Sequence, residues 1–356
     1  MNYNLTEVLA RFGISGSASR YGNGHINDTY LTDDGKYILQ RINANVFKNP
    51  DDVMNNILAV TKHMRESLKK LGRDYERETM TVINTVGGKP YYLTEEGDFF
   101  RVYLFISDTI TYQMVEDPEI FYNAAKAFGD FQKMIADFPA DKLNETIKDF
   151  HNTKVRYENF KNSVAQNKSG RAEEVEEEIK FVTDREHYCD VVNQAIKDKT
   201  VPLRVTHNDT KLNNVLMDKE TGKGVCVIDL DTVMPGSLLY DCGDSLRFGT
   251  NTAKEDEADL SKVSCSLEYF EAFTKGFMEV MSDTMTEKEI ELLPFSAILM
   301  TFECGMRFLA DHIDGDTYFR ISRPNHNLDR ARNQFKLVYD MEQKLPQMKE
   351  IVNKYR

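Results

Sequence analysis

The chain is 356 residues long, 41% hydrophobic and 11% aromatic, which is ordinary globular composition and enough length for two lobes around a large core. Its net charge of −13 excludes nucleic acid and anionic membranes as main partners, because phosphate surfaces demand basic patches. The five cysteines (Cys189, Cys226, Cys242, Cys265 and Cys304) are scattered, form no C-x-x-C pair and read as buried thiols in a reducing compartment. No His/Cys cluster suggests zinc, the opening MNYNLTEVLARFG lacks the apolar core of a secretion signal, and no uninterrupted apolar run approaches membrane length. The expectation is a cytoplasmic protein with no obligate protein partner.

Taken in order, residues 4–12 read as a short amphipathic helix that Gly13 ends. In the following RYGNGHINDTYL, Gly22 and Gly24 bracket a turn. Bare backbone there can approach a phosphate closely or simply close a hairpin. His25, just past the glycines, can face a substrate or cap the turn. Lys36–Ile42 is the next strand, and its Gln40 and Arg41 point to opposite faces. An amphipathic helix follows over about Pro50 to Leu71. Thr79–Ile83, Pro90–Thr94 and Phe99–Ile106 read as further strands between Gly-containing turns. Five antiparallel strands with one helix describe this first part. In its last strand Arg101 and Tyr103 alternate with apolar residues, as plain strand residues or facing a ligand.

From Ser107 onward the pattern is helical. Pro118 to Ile135 puts Phe121, Ala125, Phe128, Phe131 and Ile135 on one face. Asp141–Phe150 reads as a connector, and Tyr157–Asn167 and Arg171–Ile196 as polar helices, with the acidic run Glu173–Glu178 on a solvated face. The chemistry sits in Arg204–Arg247. His207-Asn-Asp209 opens it and Asn214 follows five residues after Asp209, the H-x-D-x-x-x-x-N spacing of a kinase catalytic loop. Two β-prone runs, NVLM and VCVI, joined by a Gly-containing turn, form a hairpin that returns Asp229 beside Asn214.

Phosphoryl transfer from ATP needs an acceptor oxygen held in line and cations that neutralise charge developing on the phosphates. Asp209 is placed to take the proton of an acceptor hydroxyl, and Lys211 to reach the transferring phosphate. Asn214 and Asp229 offer oxygens to Mg²⁺, a hard cation that takes few protein ligands plus phosphate oxygens. Only Leu230–Leu239 separate Asp229 from the YDCGD motif, too short for a peptide-binding loop, so the acceptor is a small molecule. Asp231 is a metal or substrate ligand or a surface acid, and Asp244 and Arg247 bind substrate hydroxyls or each other. Further on, the apolar helix Glu291–Ile313 is broken by Glu303 and Arg307, four apart on one face. They form a buried ion pair, or the carboxylate turns the guanidinium fork toward substrate oxygens. Tyr318 and Phe319 follow in a loop (Gly315 to Arg323), and 327–355 is a covering terminal helix.

The segments THNDTKLNN, IDLDTVMPGS and GDSLRFG, together with YGNGHINDTYL, YILQ, FGDFQ, LLPFSA and ECGMRFLAD, resemble the N-acetylhexosamine 1-kinases of the aminoglycoside phosphotransferase/choline kinase superfamily over nearly the whole chain. The resemblance implies a protein-kinase-like α+β fold. A small N-terminal antiparallel lobe (1–106) would bind nucleotide, and a larger, mainly helical lobe (107–356) would hold catalysis and acceptor. It implies ATP and Mg²⁺ as cofactors and an N-acetylhexosamine as acceptor through its anomeric hydroxyl. Gly22, Gly24, Gln40, Arg41 and Tyr103 would then face the nucleotide, and His25, Asp231, Asp244, Arg307 and Tyr318 the sugar. Gln40 stands where related kinases carry a phosphate-binding lysine, and the helix after it has Asn, Leu and Ala where the pairing acid would be sought, so Lys211 is the expected phosphate contact. Asp241 matches the acid that ties down the catalytic loop. Homoserine, choline, methylthioribose and aminoglycosides stay open as acceptors; choline would require an aromatic cage in a chain without tryptophan, whereas the acidic charge suits an aminoglycoside. A catalytically inactive nucleotide-binding regulator is the alternative of a different class.

Overall fold

The computed structural model describes residues 3–22, 27–44 and 46–356. Its first part is a six-stranded antiparallel sheet. α1 (Leu5–Ala10) precedes β1 (Ala18–Arg20), β2 (Asp28–Thr32) and β3 (Tyr37–Ile42). α2 (Pro50–Lys70) then intervenes before β4 (Val82–Ile83), β5 (Tyr92–Leu93) and β6 (Phe99–Leu104). The order is β1-β2-β3-β6-β4, with β5 also paired to β6. The sixth strand, absent from the sequence expectation, is β1. It spans three residues, from Ala18 opposite Thr32 to Arg20 opposite Tyr30, too short for alternation to signal it.

Register sorts the side chains of this sheet into two faces. β3 meets β6 with Leu39 opposite Val102 and Gln40 opposite Arg101. Leu39, Phe100 and Val102 form a small core with Val8, Leu9 and Phe12 at and just after α1. On the other face Ile42 and Tyr103 pack beneath Met54 and Ile57 of α2. α2 begins with Pro50, carries Asp51 and Asp52 in its first turn and Lys69 and Lys70 in its last, each favourable to the helix dipole. Its buried stripe of Val53, Met54, Ile57, Val60, Met64 and Leu68 pins it across the sheet, so Gln40 and Arg101 are enclosed between sheet and helix.

The rest of the chain is mainly helical. After β7 (Thr109–Ile110) come α3 (Pro118–Met134), α4 (Thr153–Gln166), α5 (Glu176–Thr183) and α6 (Val191–Lys197). β8 (Arg204–Thr206), the hairpin of β9 (Val215–Asp218) and β10 (Gly224–Val227), and β11 (Met234–Gly236) follow. α7 (Leu238–Gly249), α8 (Leu267–Met281), α9 (Glu287–Ile313) and α10 (His326–Lys354) complete the fold. The single helix expected over Arg171–Ile196 is instead α5 and α6. The chain breaks where Arg185 and Tyr188 both turn to Glu342 on α10, at 2.7 and 2.9 Å. One core runs through both parts, joining Ile42, Met54 and Tyr103 to Phe128, Val215 and Phe302.

α9 is apolar because it is buried, with α7 on one side and α10 on the other, and a Thr286/Glu289 capping box sets its start. α7 packs tightly on it at Gly243, where any Cβ would run into the Ser296 carbonyl oxygen and the Met300 side chain. Gly243→Ala is therefore expected to destabilise the protein by about 1–3 kcal/mol, because backbone cannot move aside cheaply. The check is a lower urea midpoint with an unchanged slope.

Candidate active site

The hairpin positions the site. The Ile228 amide donates to the Asn214 carbonyl at 2.9 Å, which sets Asp229 beside Asn214. Asp229 takes a left-handed backbone (φ 61°), as does Asn208 (φ 65°), so two non-glycine residues around the site hold an uncommon conformation. His207 locks the loop to the hairpin: its Nδ1 accepts from the Asp209 amide at 3.2 Å, so its Nε2 donates to the Ile228 carbonyl at 2.9 Å. Asp241, as expected, ties the loop down by accepting from the amides of His207 (2.9 Å) and Asn208 (2.7 Å).

Asp209 meets Lys211 Nζ at 2.8 Å through Oδ1 and the Asn214 amide at 3.1 Å through Oδ2. Burial pushes the Asp209 carboxyl up, but Lys211, His207 and Asn214 outweigh it and hold it below the usual carboxylate range. Lys211 is held correspondingly high, chiefly by Asp209 and despite burial. Asp229 behaves oppositely. Burial, then the nearby charges of Asp231 and Asp209, raise it to about 7, with Arg101 opposing. Among the described residues no cluster of three or more His, Cys, Asp or Glu forms a ready cage. A carboxylate with uncompensated charge beside an amide side chain suits a hard divalent cation that completes its shell with phosphate and water oxygens, so Asn214 and Asp229 are the pair that could hold Mg²⁺.

Several candidates are placed differently from expectation. Asp231 is no free ligand. Its Oδ1 pairs with Arg101 Nη1 at 2.5 Å, and its Oδ2 accepts from Asn27 at 2.7 Å. Gln40 is turned to a protein group: its Oε1 accepts from Arg101 Nε and Nη2 at 3.1 and 2.8 Å. Arg41 lies on the opposite face of β3, drawn to Asp28 and Asp98 at 2.9 and 3.0 Å. Tyr103 is enclosed beside Arg101, 5.1 Å from the guanidinium to its ring, with a hydroxyl that has no partner among the described residues. Gly22 has φ 72° and open space around it, while Gly24 and His25 lie outside the described residues.

The structure adds Arg101, which the sequence reading left undecided. Fully buried on β6, it supplies a cation next to Asp229 from the strand beside the one where a lysine was sought. The signal was a lone charge in an otherwise apolar strand, since such a charge demands a buried partner.

The acceptor side also differs. Glu303 does not hold Arg307. It accepts from Thr153 Oγ1 at 2.6 Å and pairs with His151 Nδ1 at 2.8 Å, and His151 Nε2 reaches the Asn208 carbonyl at 3.2 Å. Glu303 thus grips the catalytic loop from behind. Arg307 instead lies among the rings of Phe150, Tyr318 and Phe319, at 5.7, 5.9 and 5.5 Å. Tyr318 is 66% exposed. Asp244 pairs with Arg247 through Oδ1, while its buried Oδ2 has no partner among the described residues and its charge acts on Lys211.

Residues 17–262 match the phosphotransferase enzyme family known as APH. The chain belongs to this family. Similar solved structures include an aminoglycoside phosphotransferase from Alicyclobacillus acidocaldarius, at 13% identity and TM-score 0.64 over 99% of this chain and 98% of the other. A microcompartment-associated aminopropanol kinase matches at 15% identity and TM-score 0.62, over 97% of each chain. A spectinomycin phosphotransferase, solved with ADP and spectinomycin, matches at 14% identity and TM-score 0.58 over 95% of this chain and 98% of its own. These likenesses show the protein-kinase-like fold, with its antiparallel sheet lobe and larger helical part. In an APH phosphotransferase the chemistry is small-molecule phosphoryl transfer of the kinase type.

Two predictions concern the buried charges of this APH site. Replacing Arg101 by Met leaves Asp231 enclosed without its cation and is expected to cost about 3–5 kcal/mol in denaturant unfolding. For Asp229 the folded chain holds its proton more tightly than the unfolded chain, about 7 against 3.8. The associated stability is complete below 3.8 and is lost as pH rises through about 7. Ligand-free Asp229→Asn should therefore melt above wild type at pH 8, by the equivalent of about 2 kcal/mol once partial exposure is allowed for, and the gap should close near pH 4.

Proposed function

We propose that the protein is an ATP- and Mg²⁺-dependent kinase that phosphorylates the anomeric hydroxyl of an N-acetylhexosamine. The observation that carries this reading is Asp209, ionised and held by Lys211 and Asn214, in a chain whose helix α9 also presents Arg307 among Phe150, Tyr318 and Phe319. Aromatic rings suit the apolar face of a sugar, and a guanidinium fork suits its hydroxyls. In this reading Asp209 orients the hydroxyl and accepts its proton as the γ-phosphoryl group is transferred. Lys211, freed from Asp209 as the acceptor binds, offers its charge to the transferring phosphoryl. Mg²⁺, held by Asn214 and Asp229, would neutralise phosphate charge.

The acceptor wall weighs against a polycationic acceptor despite the chain's acidity. Arg307 has no carboxylate partner among the described residues, and Arg156 beside it spends its donors on the Phe150 carbonyl at 3.1 and 2.8 Å. Burial and the neighbouring Arg307 lower the Arg156 pKa, as expected for two adjacent cations. An aminoglycoside would add like charges there. Against an inactive regulator stands Lys211, a cation 39% exposed beside Asp209 that can take over the charge a strand lysine would supply. We divide the chain into a nucleotide lobe (1–106) and a catalytic and acceptor lobe (107–356), and five unpaired cysteines fit a cytoplasmic location.

The test is ³¹P NMR product analysis with ATP, Mg²⁺ and a panel of N-acetylglucosamine, N-acetylgalactosamine, glucose, homoserine and choline. A phosphate signal coupled to the anomeric proton of an N-acetylhexosamine is the expected result. Product on another acceptor would keep the kinase and discard the sugar. Asp209→Asn should lower turnover by about 10²–10⁴-fold with the melting temperature preserved.

A further inference from the structure

The loop that carries Tyr318 and Phe319 is not held by its own hydrogen bonds. Asp311, on α9 one turn beyond Arg307 and 6% exposed, turns its carboxylate into the loop. Its Oδ1 accepts from the amides of Thr317 (2.9 Å) and Tyr318 (2.7 Å), and its Oδ2 from the amide of Phe319 (2.9 Å) and from Asn327 Nδ2 (2.9 Å). Three successive backbone N–H groups therefore close on one carboxylate, an arrangement that fixes the direction of each intervening side chain. The chain reaches it through two left-handed residues, Gly315 (φ 93°) and Asp316 (φ 61°). Asp316 is itself tied to Asn327 at 2.9 Å and to Arg171 at 2.6 Å. With its amides turned inward, the loop sends Phe319 onto Phe308 and Arg307, and leaves Tyr318 edge-on to Phe319 with its ring open to solvent.

We propose that Asp311 is a positioning residue for acceptor specificity: by gathering the amides of residues 317–319 it fixes where Tyr318 and Phe319 stand against Arg307, and so sets the shape of the acceptor wall. This rests on the reading that Arg307 and Tyr318 face the acceptor. Along α9 the residues Glu303, Arg307 and Asp311 recur every fourth position on one face. The first braces the catalytic loop through His151, the second faces the acceptor, and the third holds the loop that closes the wall. One rigid helix thereby sets the distance between the reacting group and the part of the acceptor that is recognised.

Asp311→Asn keeps the shape but sets amide hydrogens against amide hydrogens. It is expected to raise the acceptor KM by about 10-fold or more while the ATP KM stays within about 2-fold and kcat within about 3-fold, because recognition rather than chemistry is lost. In a Tyr318→Ala background the same substitution should add less than about 3-fold, since the two residues act through one loop. Independently of activity, trypsin should cut after the exposed Arg320 faster in Asp311→Asn than in wild type, with the rest of the chain intact. An unchanged acceptor KM, a parallel rise in the ATP KM, full multiplicativity with Tyr318→Ala, or unchanged cleavage at Arg320 would each overturn the proposal. If the wild-type protein phosphorylates a different member of the acceptor panel, the sugar reading fails on its own. The same KM comparison is then made with that acceptor, and the cleavage assay still reads the clamp.

Discussion

The pairing of Arg101 with Asp231 governs this molecule. Both groups are almost wholly removed from water, at 1% and 3% exposure, and an ion so enclosed is tolerable only with its partner in place. Arg101 belongs to the sheet and Asp231 to the turn that follows the catalytic hairpin. Their contact therefore welds β6 to the segment carrying Asp229. Gln40 and Asn27 complete the set, one accepting from Arg101 and the other donating to Asp231. The weld also sorts the two acids of the IDLD motif. Asp231 is consumed by structure, and Asp229 is left without an ion-pair partner among the described residues.

The catalytic loop is gripped from several sides at backbone level. Asp241 on α7 takes two of its amides, His151 takes the Asn208 carbonyl, and His207 reaches across to the hairpin. These contacts hold Asn208 in a conformation that an isolated loop would rarely adopt. α9 lies behind this arrangement. Its Glu303 is wholly buried, and burial alone would raise its carboxyl, yet His151 and Arg307 bring it below the usual range. A carboxylate that stays ionised in the core can orient His151 firmly, and through it the strand-to-loop junction that presents Asp209.

The candidate site residues whose mutual placement the sequence anticipated share one property: their contacts are local. Asp209, Lys211, Asn214 and Asp229 fall within a single loop and hairpin, where strand geometry and spacing already bring them together. The misread residues depend on distant partners. Gln40 and Arg41 were sorted correctly to opposite faces by strand alternation, but which face met a ligand was a tertiary matter, and both are occupied by protein groups. Glu303 and Arg307 were paired by helix spacing. The carboxylate found His151 and Thr153, 152 and 150 residues away, instead of its neighbour four residues on. β1 escaped because three residues carry too little pattern to register.

By itself the sequence determined the α+β character, the helices with strong apolar stripes and caps, and the loop and hairpin that bring Asp209, Lys211, Asn214 and Asp229 together. Each of these follows from interactions among residues near one another in the chain. The tertiary structure alone decided which acid is ion-paired, that a buried arginine lies on the strand beside Gln40, and that the amides of Thr317, Tyr318 and Phe319 gather on Asp311. Asn27 meets Asp231 across 204 residues, and such a contact depends on how two packed elements register in space, a quantity that no local spacing encodes.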